Sequence, residues 1–145
     1  MSPELAEWVA AYGGPGLFAA AFVGATLVPV SSEAAFVGAV LAGLAPSTAL
    51  AWATAGNTLG CAVNWALGRF AGDRVRPRLA ASRAGRRALG WLGRWGLPAL
   101  LLSWLPVVGD PLTVAAGVAR VRFAVFLPVV AALRAGRYAA LLAVV

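Results

Sequence analysis

The sequence predicts an all-α integral membrane protein of two inverted repeats, each a re-entrant helical hairpin followed by a transmembrane helix, with an interfacial basic helix between them. Three observations lead there. Of the 145 residues, 61% are hydrophobic and 12% charged, and the mean hydropathy is +0.84, which leaves too little polar surface to cover a soluble globule. Two segments match: Val28-Pro29-Val30-Ser31-Ser32-Glu33 and Leu105-Pro106-Val107-Val108-Gly109-Asp110 both read apolar, Pro, Val, two residues, acid. The net charge of +7 rests on arginine alone, and eight of the twelve arginines fall between Arg69 and Arg94. Such clustering marks a loop held at the cytoplasmic face of a membrane rather than a nucleic-acid surface. The repeats are expected at about 12–68 and about 95–145, with a basic cytoplasmic linker over 69–94, in a single domain.

The first element is a short interfacial helix, opened by Ser2-Pro3-Glu4 and carrying Trp8 and Tyr12. Gly13-Gly14-Pro15-Gly16 breaks it, and the run from Leu17 to Val28 follows. Its 12 residues cover about 18 Å, short of the roughly 30 Å hydrocarbon core. The return piece, Glu33 to Leu44, is equally short. Two half-length helices meeting at Pro29 to Glu33 make a re-entrant hairpin; two tilted helices joined by a tight turn are the alternative.

Ser47 to Gly68, 22 residues without a charge, is long enough to cross a bilayer. Gly56, Gly60, Asn64 and Gly68 recur every fourth residue, a small-residue stripe that lets another helix approach closely, within the chain or in a homodimer. Asn57 borders the stripe and shares a face with Asn64; both amides either bridge helices or line a polar path.

Arg76-Pro77-Arg78 marks a kink in the basic segment. Beyond it Arg83, Arg86, Arg87 and Arg94 face one side of a helix and Leu89, Leu92 and Trp95 the other, as in a basic helix lying at the interface. Trp95-Gly96-Leu97-Pro98 then echoes the opening of the first repeat. Helix cannot pass smoothly through Pro106 and Pro111, so the chain opens near Val107 to Asp110. Arg120-Val121-Arg122 returns it to the basic side, and Phe123 to Val145 makes a second span, bent at Pro128. With a cytoplasmic arginine loop, both termini lie outside and the hairpins enter from opposite sides, a plan found in secondary transporters.

Four charges lie within the apolar segments: Glu33, Asp110, Arg134 and Arg137. Each costs about 2.5 to 3.5 kcal/mol near the bilayer centre, so each needs a cavity or a partner. Helix capping accounts for part of this, with Ser31 or Ser32 as N-cap before Glu33 and Asp110 as N-cap before Pro111. Proton carriage is the other reading of the two acids. Arg134, Arg137 and Tyr138 project to one side, placed to neutralise the acids or receive a phosphate. Histidine is absent and Cys61 stands alone, so imidazole chemistry and an internal disulfide are excluded. No nucleophile and base pair and no metal-ligand cluster is evident, so neither an enzyme nor a cofactor is expected.

The blocks GNTLGCAVNWALGR at Gly56 to Arg69, SWLPVVGDPLTVAAG at Ser103 to Gly117 and LRAGRY at Leu133 to Tyr138 resemble the DedA membrane proteins, the SNARE-associated or VTT-domain superfamily, and its short YqaA-like branch in particular. The resemblance implies an inner-membrane, multi-pass protein of bacteria that moves lipids such as undecaprenyl phosphate or phospholipids, with protons coupled in some members. It implies roles for Glu33 as the acid of the first hairpin and for Gly56, Asn57, Gly68 and Arg69 as the middle motif. Ser103 and Gly109 stand where larger members carry arginines, and Asn57 where many carry Asp.

The functional expectation is a translocase for an anionic lipid phosphate. The proton and substrate path would use Glu33, Asp110, Asn57 and Asn64, and lipid phosphate or counter-charge would fall to Arg134, Arg137 and Arg69. The hairpin tips are Pro29, Ser31, Ser32, Pro106, Gly109 and Pro111, and Gly56, Gly60 and Gly68 serve helix packing. The partners are membrane lipids and protons, with no nucleic acid. The alternative is a non-transporting membrane-homeostasis or scaffold protein.

Overall fold

The computed structural model describes residues 3–26, 32–104 and 108–145. The expected tip residues Pro29, Ser31 and Pro106 lie outside them. Among the described residues the fold is helical throughout: α1 (Pro3–Ala25), α2 (Ser32–Leu41), α3 (Pro46–Phe70), α4 (Gly72–Ala80), α5 (Arg83–Trp95), a 3-10 helix (Leu97–Trp104), α6 (Gly109–Val118) and α7 (Phe123–Val144). Only α7 among them is both long and apolar enough to cross a membrane. The 25 residues of α3 have the length, but Thr54, Asn57, Thr58, Asn64 and Arg69 dilute the apolar run expected to make the first span.

Glycine and proline set the breaks. The backbone of Gly13 (φ 56°, ψ −129°) divides α1, and Pro15 falls in the first turn beyond, where its missing N–H costs little. Pro77, expected to mark a kink, lies inside a helix. Helix α4 runs through it, and the break comes at Ser82, whose Oγ accepts the Gly85 N–H at 3.0 Å to cap α5. Arg86 of α5 donates back to the last carbonyl of α4, Ala80 O, at 3.0 Å. In the 3-10 helix, residues three apart stack, which buries Leu100 and Ser103 and exposes Leu101 and Trp104.

The chain forms two compact units, Met1–Gly60 with Arg134–Val145, and Cys61–Leu133. In the first, Leu17 and Ala21 of α1, Ala35, Phe36 and Ala39 of α2, Ala49 and Ala53 of α3 and Tyr138 of α7 make the core. Its small side chains let backbones approach: a Cβ on Gly56 would strike Phe18 O of α1, and one on Gly60 would crowd Phe22 O at 2.7 Å. In the second unit a Cβ on Gly68 would strike Val114 O of α6, and one on Gly117 would strike Trp65 O of α3. The glycine stripe of α3 is thus covered from within the chain. The basic helix α5 buries Gly85, Ala88 and Leu92 and leaves Arg83, Arg86, Arg87 and Arg94 exposed. Trp95, expected on the apolar side, is 48% exposed and stacks on Trp91 at 6.1 Å, because the helix ends at Gly96 before another element covers it.

Candidate functional site

The first unit places an acid, a guanidinium and two hydroxyls in sequence. Glu33 lies in the first turn of α2, where the exposed N–H groups of the helix favour a negative charge. Arg137 of α7 brings Nη2 to 3.1 Å from Glu33 Oε1; the side chains are 16% and 40% exposed respectively. On the other side of the carboxylate, Tyr138 Oη donates to Ser32 Oγ at 3.1 Å, and Ser32 Oγ donates to Glu33 Oε2 at 3.5 Å. Ser32 is therefore the first residue of α2 and a link between hydroxyl and carboxylate rather than a side-chain cap.

Packing holds this set. The Tyr138 ring lies 5.0 Å from Phe36, and the Arg137 guanidinium sits 5.8 Å from the Tyr138 ring centroid, within cation–π range. Arg134, one turn before, is 1% exposed. The two arginines equivalent by spacing thus differ in setting, one sealed and one at a reachable ion pair. Asn57, buried on α3, donates Nδ2 to Ala21 O of α1 at 3.2 Å.

The second unit holds Asp110, Asn64, Arg69, Gly109 and Pro111. Asp110 is not the N-cap of α6: the cap is Val108 and the helix starts at Gly109. That moves Asp110 and Pro111 into the first turn, where proline is tolerated and an acid complements the helix dipole. The Asp110 carbonyl accepts Thr113 Oγ1 at 2.6 Å, and Thr113 Oγ1 accepts Asn64 Nδ2 of α3 at 3.1 Å. Both asparagines thus bridge helices within their own unit. A Cβ on Gly109 would strike Ser103 O, so the place where larger DedA members carry arginine has no room for a side chain. Arg69 lies in the last turn of α3, 5.4 Å from the Phe70 ring.

Phe36 and Thr113 carry no signal in the sequence beyond being apolar or small in apolar helices, and gain their contacts from α7 and α3. Arg76 and Arg120 stand in the sequence as two among many arginines.

Among known proteins, residues 15–141 match the VTT domain. The chain is 43% identical over 106 residues to the inner membrane protein YqaA of Escherichia coli, covering 72% of this chain and 71% of that protein, and matches that of Shigella flexneri equally. A Haemophilus influenzae protein of unassigned function is 37% identical over 115 residues, covering 74% of this chain and 71% of its own. No solved structure matches.

Proposed function

The chain belongs to the VTT-domain (DedA/SNARE-associated) family, and on that premise we propose that it is a multi-pass protein of a bacterial inner membrane that carries an anionic lipid phosphate across the bilayer. The observation that carries this reading is the Glu33–Arg137 pair at 3.1 Å, its carboxylate partly exposed, between two apolar helices. An ion pair in an apolar setting is retained at a cost unless it is used. Here the use is exchange: as Glu33 takes up a proton its hold on Arg137 falls, and the guanidinium is released to take the phosphate oxygens in a two-pronged contact. Loss of the proton restores the pair and expels the headgroup. Tyr138 and Ser32 hold the carboxylate from its far side and supply a hydroxyl chain along which a proton reaches Oε2.

Inverted repeats belong to the proposal. Their support is that each compact unit takes the N-terminal part of one long helix and the C-terminal part of the other, and contains a returning helix, α2 or α6, with an acid in its first turn. Asp110 of α6 then stands in the second unit as Glu33 of α2 stands in the first.

The test is the flip rate of labelled undecaprenyl phosphate and of a labelled anionic phospholipid in proteoliposomes, with and without a pH gradient. Faster exchange than in empty vesicles is expected, lost in Glu33→Gln. Rates equal to those of empty vesicles for both lipids would favour the scaffold reading, toward which the helix-bridging of Asn57 and Asn64 points.

A further inference from the structure

The second unit contains a cavity of about 510 Å³ lined by Arg69 at the end of α3, Gly72, Asp73 and Arg76 of α4, and Arg120 after α6. Asp73 is the one acid in this lining, so two positive charges are in excess. Among the described residues none of the three arginines lies within ion-pair distance of an acid. The cavity also receives the start of α4, whose N-cap, Ala71, supplies no side-chain acceptor, and an uncapped helix start directs N–H donors and positive potential outward.

The conformation of Arg120 is the independent sign that its side chain is wanted there. Helix α6 ends in a Schellman turn: Val121 N donates to Ala116 O and Arg120 N to Gly117 O, both at 3.0 Å. The residue after the cap must then be left-handed, a place normally filled by glycine. Helix α2 ends on the same motif, Leu44 N to Ala39 O and Gly43 N to Val40 O, and uses Gly43 at φ 106°. Helix α6 uses Arg120 at φ 60°, the one non-glycine residue with positive φ among those described. An arginine held in a backbone state that disfavours side chains points to a task for the guanidinium. Its position is secured: Trp65 Nε1 of α3 donates to Val121 O at 2.9 Å, and Gly117 lets α6 lie against the α3 backbone at Trp65.

We infer that this cavity is a phosphate-binding site, separate from the Glu33–Arg137 pair, in which Arg69, Arg76 and Arg120 together with the N-terminus of α4 hold the phosphate group of a lipid headgroup or of a soluble phosphate ester. Planar guanidinium forks converging from three elements suit a tetrahedral oxyanion. Three arginines and one aspartate among the lining residues suit a charged group. The site goes beyond the transport reading and is read by binding alone.

The full-length protein in phosphatidylcholine nanodiscs is titrated with inorganic phosphate, followed by tryptophan fluorescence. A parallel set of nanodiscs containing phosphatidic acid is scored for retained lipid by native mass spectrometry. Binding in the first format identifies a site open to soluble phosphate, and retention in the second alone identifies a headgroup site; either supports the inference. Arg120→Gly is the decisive variant, since glycine suits the left-handed turn: thermal stability should be equal or higher, with affinity lowered at least tenfold. Arg76→Gln should lose a similar factor, while Arg122→Gln, equal in charge and outside the cavity, should stay within twofold. Equal binding by wild type, Arg120→Gly and Arg76→Gln would overturn the site, as would failure of the wild type to hold either ligand.

Discussion

Arg137 Nη2 lies 3.1 Å from Glu33 Oε1, joining the penultimate turns of the chain to the start of its second helix. A partly exposed pair of this kind contributes about 0.2 to 1 kcal/mol to stability, so breaking it should leave the fold in place. Glu33→Gln and Arg137→Gln should therefore insert and accumulate normally yet reduce lipid flipping at least tenfold. Complementation with abundance checked by blot reads both. Asp110→Asn is expected to behave as Glu33→Gln does; full activity of both acid variants would sink the proton-coupled mechanism.

Removing one hydroxyl separates the proton route from the ion pair. Tyr138→Phe keeps the ring against Phe36 and deletes the donor to Ser32. A single hydrogen bond between helices in a membrane is worth about 0.6 kcal/mol on average, so the fold should hold. The expected result is normal abundance with a flip rate that no longer responds to a pH gradient. An unchanged response would remove Tyr138 and Ser32 from the mechanism.

The glycines of α3 should tolerate no enlargement. A methyl on Gly56 meets the Phe18 carbonyl and one on Gly68 meets the Val114 carbonyl, and backbone cannot swing aside as a side chain can. Gly56→Ala and Gly68→Ala should each cost about 1 to 3 kcal/mol, seen as a lower thermal midpoint in detergent. Gly90→Ala, with nothing within 4 Å of the added carbon, should not.

Topology is best probed beside Ser82 rather than at it, since Ser82 caps α5 and its loss would cost about 1 kcal/mol. With Cys61, which is buried, changed to Ala, a cysteine replacing the exposed Ala81 should resist an impermeant thiol reagent applied from the periplasm and react after permeabilisation. Modification from the periplasm would reverse the proposed orientation.

Composition and local spacing are properties of short stretches, and what depended on them was readable without a fold. The helical class, the break at Gly13, the half-length of α2, the basic and apolar faces of α5 and the long apolar α7 all follow from runs of neighbouring residues. So do the four charges placed among apolar residues, and the glycine stripe as a place of close approach. Helix starts were less legible. A cap depends on which of several residues the rest of the fold pulls into the helix, so Asp110 became the second residue of α6 and Ser32 the first residue of α2.

Partners are decided at long range. Arg134 and Arg137 lie one turn apart and are alike to any local reading, yet their different angles on α7 bury the first and bring the second to Glu33. Asn57 and Asn64 share a face of α3, but each receives its partner from a different helix, α1 or α6. Arg120 shows the limit most clearly: among many arginines nothing in its neighbours signals a left-handed backbone, which the end of α6 and the hold of Trp65 on Val121 together impose. Sequence by itself determined which residues are costly where they stand; only the tertiary structure decided what each is set against, because those contacts join segments far apart in the chain.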